Sequence, residues 1–356
     1  MLVAVAMMLS VMPIQAFALS ASPHTHPVCG KTHTDIGDHT GACAEIEWMP
    51  VSTQSELAAM EDSKSYYLAN NITVDSMIML NTITIDLCLN GNVLKYENAN
   101  TTGTVIRVYK GTLNLCDCSG NNRGTITGGT GPNLGGGGGI DVDSGVFNMY
   151  SGSITGNAVG AKNGGGVYVG GTFNMYGGVI AENTAGVGGG VYVNGGLPAG
   201  TFKMYGGSIT GNNGFSGGGV RNDNQFYVAG APVISGNTET DTKVSNVELG
   251  SSDVITVGTL TDGADIGVTL YSSTGTGVFT SGGAEYADKG YFKSDDSNYV
   301  VAVDGNNLKL QEKAMPHSHP VCGDSSCSDN AHAANDSWTA WDGTTAFPEG
   351  NVYLPS

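Results

Sequence analysis

An eleven-residue phrase returns again and again through the middle of this chain, and a protein with one central hydrophobic core is not built that way. It reads FNMYSGSITGN at Phe147–Asn157, FNMYGGVIAEN at Phe173–Asn183 and FKMYGGSITGN at Phe202–Asn212, with a worn copy from Phe226 to Asn237. Glycine-led strands alternate with it: GGGVYV at Gly164–Val169 and Gly188–Val193, then GGGV at Gly217–Val220. The phenylalanines step by 26, 29 and 24 residues. Self-similarity at such a period marks a stacked array, and it governs every local reading. Fainter rungs come earlier, at Gly111–Leu115 (GTLNL), Gly124–Thr127 (GTIT) and Gly139–Val142 (GIDV).

Each unit holds three short alternating or β-branched runs: Phe-x-Met, x-Ile-x and Val-Tyr-Val. Runs this short make no stable sheet alone, but they do when stacked on copies of themselves. Three strands in about 25 residues are one coil of a parallel β-helix, whereas a propeller blade needs about 40. The predicted class is therefore all-β: a parallel β-helix over residues 66–240. Alternation turns Phe147, Met149, Ile154, Val167 and Val169 inward, and Asn148, Tyr150 and Tyr168 outward. Asn157, Asn183, Asn212 and Asn237 close the x-Ile-x runs and can hydrogen-bond from coil to coil. Cys88 and Cys116 lie about one coil apart, as a disulfide or as buried thiols, with Cys118 left over.

A solenoid end is an open edge and needs a cover. Thr53-Gln-Ser-Glu56 is a capping box, so a short helix is expected within 51–65 as the N-terminal cap. Residues 241–313 lose the repeat and read as terminal coils plus a β-rich cap. At the start, residues 1–18 form an apolar run ending Ala16-Phe17-Ala18, a signal peptide in character although no Lys/Arg precedes it. A permanent anchor is the alternative. No later stretch is apolar enough to span a membrane, so the mature chain is expected to have no span.

The motif HTHPVCG at His24–Gly30 returns as HSHPVCG at His317–Gly323, and each copy leads to a tryptophan, Trp48 and Trp338. Residues 24–50 are thus a Cys/His linker module, and 314–356 the start of a second one, cut short. His24, His26, Cys29 and Cys43 have ligand chemistry for zinc. The Cys–Cys spacing changes from 14 to 5 between copies, however, which a disulfide tolerates better than one metal geometry does. Seven cysteines suit an exported protein. A net charge of −18 with only 14 Lys and Arg excludes a phosphate-binding surface, so no nucleic-acid partner is expected.

These phrases in this order (His-x-His-Pro-Val-Cys-Gly, Leu87-Cys-Leu-Asn-Gly91, Leu115-Cys-Asp-Cys-Ser-Gly120 and the GGGVYV/FNMYGGSITGN repeat) resemble the repetitive surface proteins of anaerobic Gram-positive bacteria. Those proteins carry β-helix repeats of the pectate-lyase-like superfamily. Over residues 24–356 the resemblance implies a right-handed helix and a secreted or wall-associated, adhesin-like role. It carries over no catalytic residue.

Catalysis is the rival reading, as a polysaccharide lyase or glycoside hydrolase. Hydrolysis needs paired carboxylates, and elimination needs a base with a cation. All seven histidines lie in the terminal modules, and the body has only Arg107, Arg123 and Arg221 as arginines. No Asp pair recurs from coil to coil. Asp141 and Asp143, after a glycine run, are a thin candidate for Ca²⁺. No motif asks for a cofactor. The outward tyrosines suggest binding instead. Tyr150, Tyr176 and Tyr205 share one position, Tyr168 and Tyr192 another, and aromatic rings with hydroxyls are a track for sugars. Asn148, Asn174 and Lys203 precede the first column by two residues and can reach sugar hydroxyls. Host or cell-wall glycans, or surface proteins, are the expected partners. The plainer reading is that stacked tyrosines only stabilise adjacent coils.

Overall fold

The computed structural model describes residues 25–27, 45–120, 122–131, 136–240, 242–250, 252–271, 275–313, 317–319, 336–340 and 351–353. Residues 1–18 lie outside the described residues, as do His24, Cys29, Cys43 and the side chain of His26. No helix among the described residues is long and apolar enough to cross a membrane.

The chain winds into a parallel β-helix with three faces. The first face stacks Lys64–Leu68, Thr84–Cys88, Thr112–Cys116, Val146–Met149, Thr172–Met175, Thr201–Met204 and Gln225–Gly230, each parallel to the next. The second face runs from Ile72–Val74 through Ser153–Thr155 to Val233–Ile234. The third runs from Ile78–Leu80 through Val167–Val169 to Val247–Leu249. From the fifth coil a short fourth ribbon appears, where Thr184–Val187 pairs with Asn213–Ser216 and then Thr238–Glu239. The register joins identical positions, for instance Phe147↔Phe173 and Tyr168↔Tyr192, so the repeat seen in sequence is the repeat in space.

The interior is made of like-on-like columns. Phe147, Phe173, Phe202 and Phe226 are buried and stack at 4.8, 4.8 and 4.9 Å, within 11° of parallel. Ile154, Ile180, Ile209 and Ile234 fill the second face, and Val167, Val191 and Val220 the third. The GGG runs allow this spacing. A Cβ on Gly166 would sit 2.6 Å from the Gly190 carbonyl of the next coil, and Gly164 holds φ +67° at the corner before it.

One buried row is polar. The Nδ2 of Asn157 donates to Asn183 Oδ1 (2.9 Å), Asn183 to Asn212 (2.9 Å), Asn212 to Asn237 (2.9 Å) and Asn237 to Asn246 (3.1 Å). Each Oδ1 also accepts the backbone N–H of the preceding asparagine. The row ends on Asp295, whose carboxylate accepts from the side chain and backbone of Asn246 and from Thr269. Burial holds the Asp295 carboxyl above the usual carboxylate range in spite of those donors.

The ends differ from the expected limits in detail. The capping box Thr53–Glu56 is formed, but the helix it opens is only Gln54–Ala58, with Leu57 sealing the first coil. Strands flank it closely: Met49–Val51 already pairs in parallel with Lys64–Leu68, so the solenoid starts before residue 66. The terminal coils expected within 241–313 are formed. Val247–Leu249 and Ile255–Leu260 continue the stack, and the second and third faces merge on Asp265–Leu270. These coils keep the burial pattern of the repeat but not its wording. An antiparallel hairpin, Tyr299–Asp304 with Asn307–Glu312, finishes the end. The two Cys/His modules share a backbone plan: Thr25–Pro27 and His317–His319 each pair antiparallel with the segment containing or preceding the tryptophan.

Candidate functional site

The outward side of the first face carries the main aromatic column. Tyr150 and Tyr176 stack at 5.1 Å and 14°, and Tyr176 and Tyr205 at 5.0 Å and 9°. Tyr176 therefore has a ring against each of its faces. The column starts on Cys88 and Cys116, in register and buried, where Trp48 and Ile46 fold down from the N-terminal module and Tyr150 packs against them. The thiol of Cys116 beside it and burial push the Cys88 thiol up. Cys118 is exposed and donates to Asn90.

The outward asparagines are bonded to one another. Asn174 Nδ2 donates to Asn148 Oδ1 (2.8 Å), Asn148 to Asn114 (2.7 Å) and Asn114 to Asp86 (2.8 Å). Asp86 also accepts from Ser65. Asn148 and Asn174 thus spend these donors on coil-to-coil bonds.

The column opens at its other end. Where earlier coils place Asn148, Asn174 and Lys203, the next coil places Tyr227, in register with Lys203. The Tyr227 ring stands 5.7 Å from Tyr205 at 58°, and the two form a corner. They line a cavity of about 430 Å³ with Thr201, Lys203, Gln225 and Asp253. Its size suits a small ligand, with apolar rings on two sides and hydrogen-bonding groups between. Tyr227, Gln225 and Asp253 were not legible as site residues. The only sequence signal was an aromatic at a position the earlier coils keep polar.

The second tyrosine column belongs to an ionic row on the third face. Outward positions run Arg107, Asp141, Tyr168, Tyr192, Arg221, Glu248 in successive coils. Tyr168 and Tyr192 lie 5.6 Å apart at 38°, and burial raises both phenols. Arg221 bridges Asp223 at 2.7 Å and also binds Glu248.

Asp141 and Asp143, the thin Ca²⁺ candidate, share an arginine. Arg107 sits between them, 3.3 Å from Asp141 and 3.2 Å from Asp143, and supplies the positive charge a cation would bring. Among the described residues no group of three or more His, Cys, Asp or Glu could hold a metal ion. Asp141 is 3% exposed because the glycine run folds over it: a Cβ on Gly136 would lie 2.6 Å from its Oδ2.

Burial outweighs the pull of Arg107, and Asp143 adds to it, so the Asp141 carboxyl is pushed up to about 7. The folded protein therefore keeps a proton that the unfolded chain loses near pH 4. Through Asp141, stability falls as pH rises from about 4 to about 7, by at most about 1.4 kcal/mol per unit, and levels off above that. Denaturation of the wild type and Asp141→Asn across this window should show the difference between them narrowing or reversing with pH. A constant difference would rule the shift out.

Comparison with family models, curated proteins and solved structures gives no match to this chain.

Proposed function

We propose that the protein is a secreted or cell-wall-associated adhesion module that binds neutral glycans at the Tyr205 end of its tyrosine ladder. On this reading it is one of the repetitive pectate-lyase-like surface proteins it resembles. The observation that carries the proposal is the Tyr205/Tyr227 corner over its cavity, with Lys203, Gln225 and Asp253 within the same lining. Two rings set at an angle accept the apolar face of a sugar while side-chain amides and charges meet its hydroxyls. Stacked coils hold these groups in place before the ligand arrives, which lowers the ordering cost of binding.

Binding is favoured over the alternative, a polysaccharide lyase or glycoside hydrolase. The carboxylate pair of the body, Asp141 and Asp143, is clamped by Arg107, and Asp141 is covered. Asp141 so placed has no access to a sugar chain.

A glycan array tests this with the wild type and the Tyr205→Ala/Tyr227→Ala double variant. Neutral glycans are expected among the wild-type hits, weakened about tenfold or more in the variant. Hits that survive unchanged in a folded variant, or cleavage of the arrayed glycans, would overturn the reading.

A further inference from the structure

Two aromatic side chains, Phe215 and Tyr271, are exposed among the described residues, each at 67%, and both line one cavity. It lies on the third face and fourth ribbon, away from Tyr205. The cavity measures about 470 Å³, and Ser216, Glu239, Lys243, Glu248 and Thr269 complete its polar lining. A second hollow of about 410 Å³ shares Lys243, Thr269 and Leu270 with it and extends toward Asp295 and Tyr299.

Neither ring belongs to the buried core. In the fourth ribbon Ala185 pairs with Gly214 and Val187 with Ser216, which puts Phe215 where the preceding coil has Gly186. On the third face Leu249 pairs with Leu270, which puts Tyr271 where the preceding coil has Gly250. Phe215 and Tyr271 stand two coils apart, and each puts an exposed ring next to a coil that has glycine at that position. Two exposed rings lining one cavity form an apolar patch of the kind that marks a contact site.

The site is also built from below. Glu248, 3% exposed, accepts from Ser216 Oγ (2.7 Å) and Gly217 N (2.8 Å) and is bound by Arg221. The Arg221 guanidinium lies 5.2 Å from the centre of the Tyr271 ring and supports it. At the rim Lys243 pairs with Glu239 at 3.0 Å. Both cations thus have a carboxylate partner, so the lining favours an uncharged ligand.

We propose that this groove is a second carbohydrate site, taking the end of a neutral glycan, one or two sugar units, between Phe215 and Tyr271. It stands independently of the Tyr205 cavity. If both sites bind, the module is bivalent on two different faces, and its hold on a glycan-coated surface rises by linkage rather than by new contacts.

Ligand-observed NMR titration with cellobiose, maltose and lactose tests it, using the wild type, Phe215→Ala/Tyr271→Ala, Tyr205→Ala/Tyr227→Ala and Tyr271→Phe. At least one disaccharide is expected to bind the wild type with a Kd of millimolar order. The Phe215/Tyr271 variant should weaken it about tenfold or more, while Tyr271→Phe and the Tyr205/Tyr227 variant keep it. The residues are exposed, so the fold is not at risk, and circular dichroism checks that. No binding by any of the three sugars, or binding that the Phe215/Tyr271 variant leaves within about threefold of the wild type, overturns the proposal. So does binding that only the Tyr205/Tyr227 variant removes, which would assign the sugar to the first-face cavity.

Discussion

Replacing Asn183 by alanine is expected to cost roughly 3–5 kcal/mol of unfolding free energy, read from denaturant titration. The amide serves three coils. Its oxygen accepts from the backbone and side chain of Asn157, and its nitrogen donates to Ile154 O and Asn212 Oδ1. Alanine leaves several of these buried groups without the partner they have now, and each such group costs about 1–3 kcal/mol. Asn174→Ala is the control. It breaks a row of the same chemistry, but on the half-exposed outward side, where water replaces the lost bond. It should cost less than about 1 kcal/mol. Equal losses at the two sites would refute the distinction.

Phe173→Ala should be comparably damaging, about 3–5 kcal/mol, because it empties a fully buried ring site between two rings that cannot close the gap. Phe226→Ala should cost less, since that ring stacks on Phe202 alone in its column. A solenoid couples mainly to its neighbours, so the damage should stay local. Hydrogen exchange in Phe173→Ala should rise in Val146–Thr155 and Thr201–Thr210 and change little in Lys64–Tyr96. Uniform loss of protection would show that the array unfolds as one unit.

Sequence alone made the solenoid legible because its repeat is literal. Identical words stack, so the inward set Phe147, Met149, Ile154, Val167 and Val169 and the Asn157–Asn237 row follow from spacing. What stayed hidden was how each column begins and ends. The Tyr150, Tyr176 and Tyr205 column could be placed outward from sequence, and its rings stack as a ladder of like residues does. Nor did sequence show that Trp48 would close one end of the column. Departures from the repeat carried the rest: Tyr227 stands where the earlier coils have Asn148, Asn174 and Lys203, and Phe215 and Tyr271 each follow a coil with glycine at that position. Asp141 looked like a free carboxylate because Arg107 lies 34 residues away, and only the register brings them together.

The two rows of asparagines run in opposite senses. Inside, every amide donates toward Asp295, and outside, every amide donates toward Asp86. A row of donors that all point one way must finish on a group that only accepts, and in both cases that group is a carboxylate. Such an array has a polarity and two dedicated terminators, so it cannot lengthen by adding coils to its ends without stranding one of them. A duplicated coil inserted in the interior, in contrast, receives one bond and passes one on. Repeat number in such a protein is therefore free to drift by copying from the middle. The central coils Phe147–Asn157, Phe173–Asn183 and Phe202–Asn212 are the most alike in wording, and the outer coils diverge from them.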